Sequence, residues 1–237
     1  MHTLFPLKIN LKLYTAVRLL VFTLGFEEKF AIRAFTRRGL DVGDRILLVA
    51  ARPAADRVVR AYNTLREFVQ RYYGGGVEIE LVEVNVRDFP GAVCEIRRRV
   101  LEKAGGDVVV NLSGGPRALV LATYAAVQLL PDDVAKRVRV EVEFEDGTYL
   151  VEVPLCAVYA QKLAERLGEE KLAVLEKLAQ RGVATAEELA REVNLDSSTV
   201  RRHIRRLEEL GLVQVLSKRP LRAELTQDAK VITCLRE

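Results

Sequence analysis

The sequence predicts an α/β protein: an open, mostly parallel sheet with helices on both faces and a hairpin at one edge, followed by a compact helical module that closes on a second small hairpin. Three observations predict it. Short apolar runs alternate with segments of helical spacing from Leu19 to Leu130, the pattern of a parallel sheet covered by helices. Asp146-Gly147 sits between two runs of strict apolar–polar alternation, a strong hairpin signal. From Glu169 onward the alternation of strands and helices gives way to three helical patterns, broken at Gly182 and at Asn194-Leu195-Asp196.

Taken in order, Leu19-Leu20-Val21-Phe22-Thr23-Leu24 is a continuous apolar run ended by Gly25, as expected of a strand buried on both faces. Residues 27–38 predict a helix with Phe30, Ala34 and Phe35 inward, and Gly39 and Gly43 mark its exit. Residues 46–50 predict a second buried strand. Residues 54–72 carry Val58, Tyr62, Leu65 and Val69 on one helical face, and Gly74-Gly75-Gly76 breaks the chain before a third strand over 77–84. Asp88 is placed to cap a helix running to Lys103. Residues 108–112 predict a fourth strand and 118–130 a helix. Val138, Val140, Val142 and Phe144 then alternate with Arg139, Glu141, Glu143 and Glu145; Asp146-Gly147 turns the chain into 149–153, and Pro154 closes the hairpin. The expected domains are 1–154, a linker helix over 155–168 with Tyr159, Leu163 and Leu167, and 169–237.

In the last domain, Leu172, Leu175 and Leu178 mark a first helix. Thr185 and Glu188 form a capping box for a second, over 186–193, and residues 197–210 form a third, stopped by Gly211. Short strands over 212–216 and 221–225 flank Ser217-Lys218-Arg219-Pro220. Helix, capped helix, turn, helix and basic hairpin is the order of a winged helix-turn-helix, whose later helix enters the major groove. Val200, Ile204 and Leu207 recur at inward spacing, which leaves Ser197, Ser198, Thr199, Arg201, Arg202 and Arg205 at the helix start and outer face. Hydroxyls and guanidinium groups there suit phosphates and guanine edges. Lys218, Arg219 and Arg222 in the wing suit sequence-independent phosphate contacts. His203 falls between the two faces and reads as packing or a phosphate contact.

Composition limits the alternatives. The 237 residues carry a net charge of +4, with 49% hydrophobic and 30% charged residues, ordinary for one or two globular domains and compatible with an anionic partner. Cys94, Cys156 and Cys234 are scattered, so a disulfide framework or zinc site is not expected; buried or partly buried free thiols in a reducing cytosol are. No run approaches the ~20 apolar residues of a membrane span. Lys8 and Lys12 interrupt any signal-peptide core, so a cytoplasmic protein is expected.

The chemistry is concentrated in Asn111-Leu112-Ser113-Gly114-Gly115-Pro116-Arg117. A strand ends in a glycine-rich turn and a helix follows at once, placing backbone N–H groups beside one cation, as expected of a phosphate site. Pro116 suits a first helical position. The spacing is neither that of a P-loop nor of a dinucleotide fingerprint, which excludes nucleotide hydrolysis of that class. In an open parallel sheet the carboxyl ends of the strands converge on one crevice. The loop Thr23-Leu24-Gly25-Phe26, together with Arg52 after the second strand and Asn85 after the third, is therefore expected there. Phe26 is read either as core packing or as a base-stacking ring.

Leu-Val-Phe-Thr-Leu-Gly-Phe from Leu20, Asn-Leu-Ser-Gly-Gly-Pro-Arg from Asn111, and the winged-helix tail together resemble the CARF-domain regulators of CRISPR-Cas systems, in particular the archaeal CRISPR-associated transcription factors. The resemblance runs from Leu19 to the C-terminus. It implies a Rossmann-like (CARF) sensor domain, a homodimer with a pocket across its twofold axis, and cyclic oligoadenylate, typically cyclic tetra-adenylate, as regulatory ligand. Thr23, Leu24, Gly25, Phe26, Asn111, Ser113, Gly114, Gly115, Pro116 and Arg117 fall on the family's two loops. Many relatives have Thr-Lys where this chain has Pro116-Arg117; the charge is kept and a hydroxyl and an N–H are lost. The expected function is a ligand-responsive regulator that binds double-stranded DNA at a promoter or CRISPR leader, with no catalytic residue, metal or other cofactor and no membrane partner. Two alternatives stand beside it. One is a metal-independent ring nuclease, in which a substrate 2′-OH attacks the neighbouring phosphate. The other is a regulator of unrelated genes that senses a different phosphorylated metabolite.

Overall fold

A computed structural model describes residues 17–154, 167–226 and 229–230. The expected linker helix lies outside the described residues except for Leu167 and Gly168, as do Cys156 and Cys234. The first region alternates β1 (Leu19–Thr23), α1 (Lys29–Arg38), β2 (Arg45–Ala51), α2 (Asp56–Tyr73), β3 (Glu78–Val84), α3 (Phe89–Lys103), β4 (Val108–Asn111) and α4 (Arg117–Gln128). A short helix α5 (Asp132–Ala135) leads to the hairpin of β5 (Val138–Glu143) and β6 (Leu150–Val153). The six strands form one sheet in the order β3-β2-β1-β4-β5-β6. All neighbours are parallel except β5 and β6, so the predicted hairpin does form one edge.

Strand alternation divides the core between the two faces of this sheet. Leu20, Phe22 and Leu48 pack under α1 and α2 with Phe35, Leu65 and Val69. Leu19, Val21, Val108 and Val110 pack under α3 and α4 with Ile96, Leu119 and Val127. Every β1 side chain is buried, which accounts for its unbroken apolar run. Asp88 accepts from the Gly91 N–H and starts α3 as expected. That helix buries Ala92, Val93, Ile96 and Val100, which turns position 94 outward. Cys94 is therefore an exposed free thiol, not the buried or partly buried one expected. Pro116 also differs from expectation: its ψ of 145° is extended, so it is the N-cap and Arg117 the first helical residue.

The second region contains α6 (Glu169–Arg181), β7 (Val183–Thr185), α7 (Ala186–Glu192), α8 (Ser197–Glu209), β8 (Val213–Lys218) and β9 (Leu221–Leu225). The strands pair in the order β7-β9-β8. Its own core joins Leu172, Leu175 and Leu178 to Leu189, Val200, Ile204 and Leu207. The Thr185–Glu188 capping box is present in both directions. Among the described residues, no helix is long and apolar enough to cross a membrane.

Candidate functional site

The chain leaves β1 toward β2 on one side, while β4 lies against the other side of β1. The strand order reverses here, which is where open α/β sheets form a ligand crevice. Two loops meet at this point. A Cβ on Gly25 would lie 2.7 Å from the Gly115 nitrogen, and one on Gly114 would lie 2.7 Å from the Thr23 carbonyl. The loops thus pack backbone against backbone, an approach open only to glycine. Gly115 adds a φ of +83°, in the left-handed region that favours glycine.

The polar side chains of the two loops build this arrangement. The Thr23 hydroxyl donates to the Gly114 carbonyl at 2.6 Å. Asn111, buried, donates from Nδ2 to Glu141 Oε1 at 3.1 Å and accepts the Ser113 N–H on Oδ1 at 3.1 Å. The Ser113 hydroxyl accepts the Glu143 N–H at 2.8 Å. Thr23 therefore ties the first loop to the second, Asn111 and Ser113 tie the second loop to β5, and the outward groups are Phe26, Pro116 and Arg117, all exposed. Beside the loops is a cavity of about 350 Å³ lined by Leu24, Phe26, Pro53, Val58, Gly115 and Pro116, among others. Its wall is mainly apolar. The Arg57 guanidinium sits 4.7 Å from the centre of the Phe26 ring, within cation–π range.

Not every expected residue reaches this cleft. Arg52 directs its guanidinium to the Glu83 carbonyl. Asn85 follows β3, two strands from β1, and accepts the Arg87 N–H at 3.2 Å. Residues that sequence spacing did not single out are Arg57, from α2, and the buried carboxylates of Glu141 and Glu143. Glu141 and Glu143 fall on the polar half of an alternating strand, yet both are buried. They are compensated from α1: Arg33 Nε lies 2.5 Å from Glu143, Arg37 Nη1 lies 3.3 Å from Glu143, and Arg38 pairs with Glu141. A buried carboxylate is tolerated only with such partners.

In the second region, α8 buries Val200, His203, Ile204 and Leu207 and exposes Ser198, Arg201, Arg202 and Arg205. Lys218, Arg219 and Arg222 are exposed on and beside the wing turn. His203 is packing rather than a phosphate contact: it is 6% exposed, with Nε2 2.9 Å from Glu170. Ser197 and Thr199 are half-buried at the start of the helix. Glu187, which the spacing did not single out, pairs with Arg201 and accepts from the Ser197 hydroxyl at 3.4 Å. The Arg201 guanidinium holds the Glu187 carboxyl below the usual carboxylate range.

Fold and site together define a class, a protein that joins a Rossmann-like domain with a glycine-lined crevice to a helix-turn-helix module with a basic outer face. Residues 18–154 match the Csa3 CRISPR-associated Rossmann-like domain, and residues 167–215 match a helix-turn-helix domain. A CRISPR locus-related protein of Thermoproteus tenax, named Csa3, is 30% identical over 198 residues, covering 83% of this chain and 86% of its own. The chain belongs to the Csa3 family. Among solved structures, Lactococcus lactis ZitR shares 22% identity over 32% of this chain and 59% of its own, with a TM-score of 0.27. Can2 of Sulfobacillus thermosulfidooxidans, solved in complex with cyclic tetra-adenylate, shares 12% identity over 91% of this chain and 61% of its own, with a TM-score of 0.41. The chain thus spans about three fifths of the length of each of these two solved proteins.

Proposed function

We propose that this member of the Csa3 family is a homodimeric regulator that binds double-stranded DNA at CRISPR loci and is controlled by cyclic oligoadenylate, with cyclic tetra-adenylate as the first ligand to test. One observation carries the reading: a single chain holds both a glycine-packed crevice at the strand-order switch and a basic recognition-type helix. In the crevice, the N-terminus of α4 offers unpaired N–H groups and a partial positive charge to an anion. Arg117 in its first turn adds a bidentate donor. The apolar wall at Phe26, Pro53 and Val58 suits an aromatic base, so the site accommodates both halves of a nucleotide. On the DNA side, Arg201, Arg202 and Arg205 face outward for base edges and phosphates, and Lys218, Arg219 and Arg222 extend the same charge along the wing. Ligand acts by favouring one arrangement of the paired winged helices over another.

The two halves are tested separately. Calorimetric titration with cyclic tetra-adenylate is expected to give saturable heat with the wild type, and heat lowered at least tenfold in affinity by Arg117→Ala or Gly114→Asp, because a charge-assisted hydrogen bond is worth about 1.5–3 kcal/mol. Equal binding by all three proteins defeats the crevice assignment. Chromatography of the ligand after incubation separates sensing, in which it returns intact, from cleavage. For the DNA half, Arg202→Ala is expected to weaken duplex binding and reduce its salt dependence; unchanged binding and slope defeat the α8 assignment.

A further inference from the structure

Beneath the glycine-rich loop, the carboxyl ends of β4 and β5 turn polar side chains toward α1. Asn111, Glu141 and Glu143 lie there, buried, under Arg33, Arg37 and Arg38. Two carboxylates and three guanidinium groups are a poor way to gain stability, since well-packed apolar residues fill such a space without a desolvation cost. What apolar residues lack is a fixed acceptor. An ionised carboxylate only accepts hydrogen bonds. Glu141 Oε1 therefore selects the Nδ2 end of the Asn111 amide, at 3.1 Å. That choice turns Oδ1 toward the Ser113 N–H, which it receives at 3.1 Å. Arg38 and, at 3.7 Å, Arg37 hold Glu141 in place from the last turns of α1.

We infer that Glu141 is a positioning residue for the glycine-rich loop: acting through Asn111, it sets the course of the backbone at Ser113 and so the cradle at Gly114 and Gly115. The functional part of this inference rests on the proposed reading of that loop as the ligand site. The structural part does not, because the hydrogen-bond relay is testable without ligand.

The test uses Glu141→Leu, which removes the acceptor, and Asn111→Ala, which removes the bridge but leaves Glu141 paired to its arginines and so covers the case in which the first variant does not fold. Val109→Ala, a cavity two residues before Asn111 on the same face of β4 that leaves the relay's hydrogen bonds in place, is the control for general destabilisation. Amide hydrogen exchange is read in the free protein. The Ser113 amide is expected to exchange about tenfold faster in Glu141→Leu and Asn111→Ala than in Val109→Ala, since one well-placed charge-assisted bond governs local opening on that scale. Glu141→Gln, whose amide offers Asn111 a donor as well as an acceptor, is expected to recover only part of the protection. Exchange that rises equally in all variants overturns the inference, full protection in Glu141→Gln overturns the acceptor-only argument, and unchanged exchange in Asn111→Ala overturns the Asn111 route. Cyclic tetra-adenylate titrations of the same proteins then read the consequence, with an affinity about tenfold lower in Asn111→Ala than in Val109→Ala. Equal affinities overturn the functional part. A wild type that takes up no ligand overturns the sensor reading, while the exchange data still judge the relay.

Discussion

Gly25 and Gly114 carry more of the crevice than any charged side chain. Each meets the other loop's backbone at a distance no Cβ tolerates, and backbone yields far less than a side-chain tip. Gly25→Ala is expected to destabilise the protein by about 1–3 kcal/mol through overpacking and to abolish ligand uptake by forcing the Gly115 backbone away. Gly75→Ala is the matched control: nothing lies within 4 Å of its added methyl, and shrinking the unfolded ensemble makes it neutral or stabilising by up to about 1 kcal/mol. Urea denaturation of the two variants reads the difference, and equal midpoints refute the close-approach argument. At this scale the sequence was legible for position but not for direction. The spacing placed Thr23, Asn111 and Ser113 at the crevice. Only the structure shows their polar atoms turned inward to the Gly114 carbonyl, Glu141 and the Glu143 N–H. A hydroxyl in a glycine-rich turn reads the same in sequence whether it faces ligand or scaffold.

Elements were legible where local chemistry decides them. The Thr185–Glu188 box depends on residues three apart, so it was readable, and it yields a pH prediction. The backbone N–H and then the hydroxyl of Thr185 hold the Glu188 carboxyl below its ordinary range. The folded state therefore favours the ionised form. The stability this contributes is present in full above the unfolded value of about 4.3 and is lost as pH falls through the lower folded value. Glu188→Gln keeps the oxygen but not the charge. The gap in melting temperature between wild type and this variant is expected to be open at neutral pH and to close in acid. A gap that is constant with pH assigns the cap to hydrogen bonding alone. Thr185→Ala, which removes the side-chain acceptor, is expected to cost about 1 kcal/mol at neutral pH. Elements set by distant partners were not legible. β7 is three residues long and exists by pairing Ala184 with Ala223 of β9. The burial of Glu141 and Glu143 depends on α1 arginines about a hundred positions away, so alternation along β5 predicted two faces correctly without predicting that both would be covered.

For the whole molecule, the proposed dimer makes a geometric claim about DNA. Two copies of α8 related by a twofold axis reach successive major grooves only if their half-sites lie about 10–10.5 base pairs apart, or a multiple of that. A site selected from a random duplex library is therefore expected to be palindromic. Inserting five base pairs at its centre moves one half-site to the opposite face of the helix and leaves a single winged helix engaged. Inserting ten returns it to the same face at a longer reach. Affinity alone does not distinguish a lost half-site from a general weakening, but the salt dependence does. Each phosphate neutralised by an arginine or lysine contributes about −0.9 to the slope of log affinity against log salt. The five-base-pair insertion is expected to halve this slope, because half of the Arg201, Arg202, Arg205, Lys218, Arg219 and Arg222 contacts are lost, whereas a point change in one half-site lowers affinity with little effect on the slope. Fluorescence anisotropy across a salt series measures both quantities. If cyclic tetra-adenylate controls DNA binding by changing the separation of the two modules, it shifts the preferred spacing while leaving the slope on the best-spaced site unchanged. A ligand that lowers the slope on every spacing acts instead by competing for the basic surface, and that result defeats control through dimer geometry.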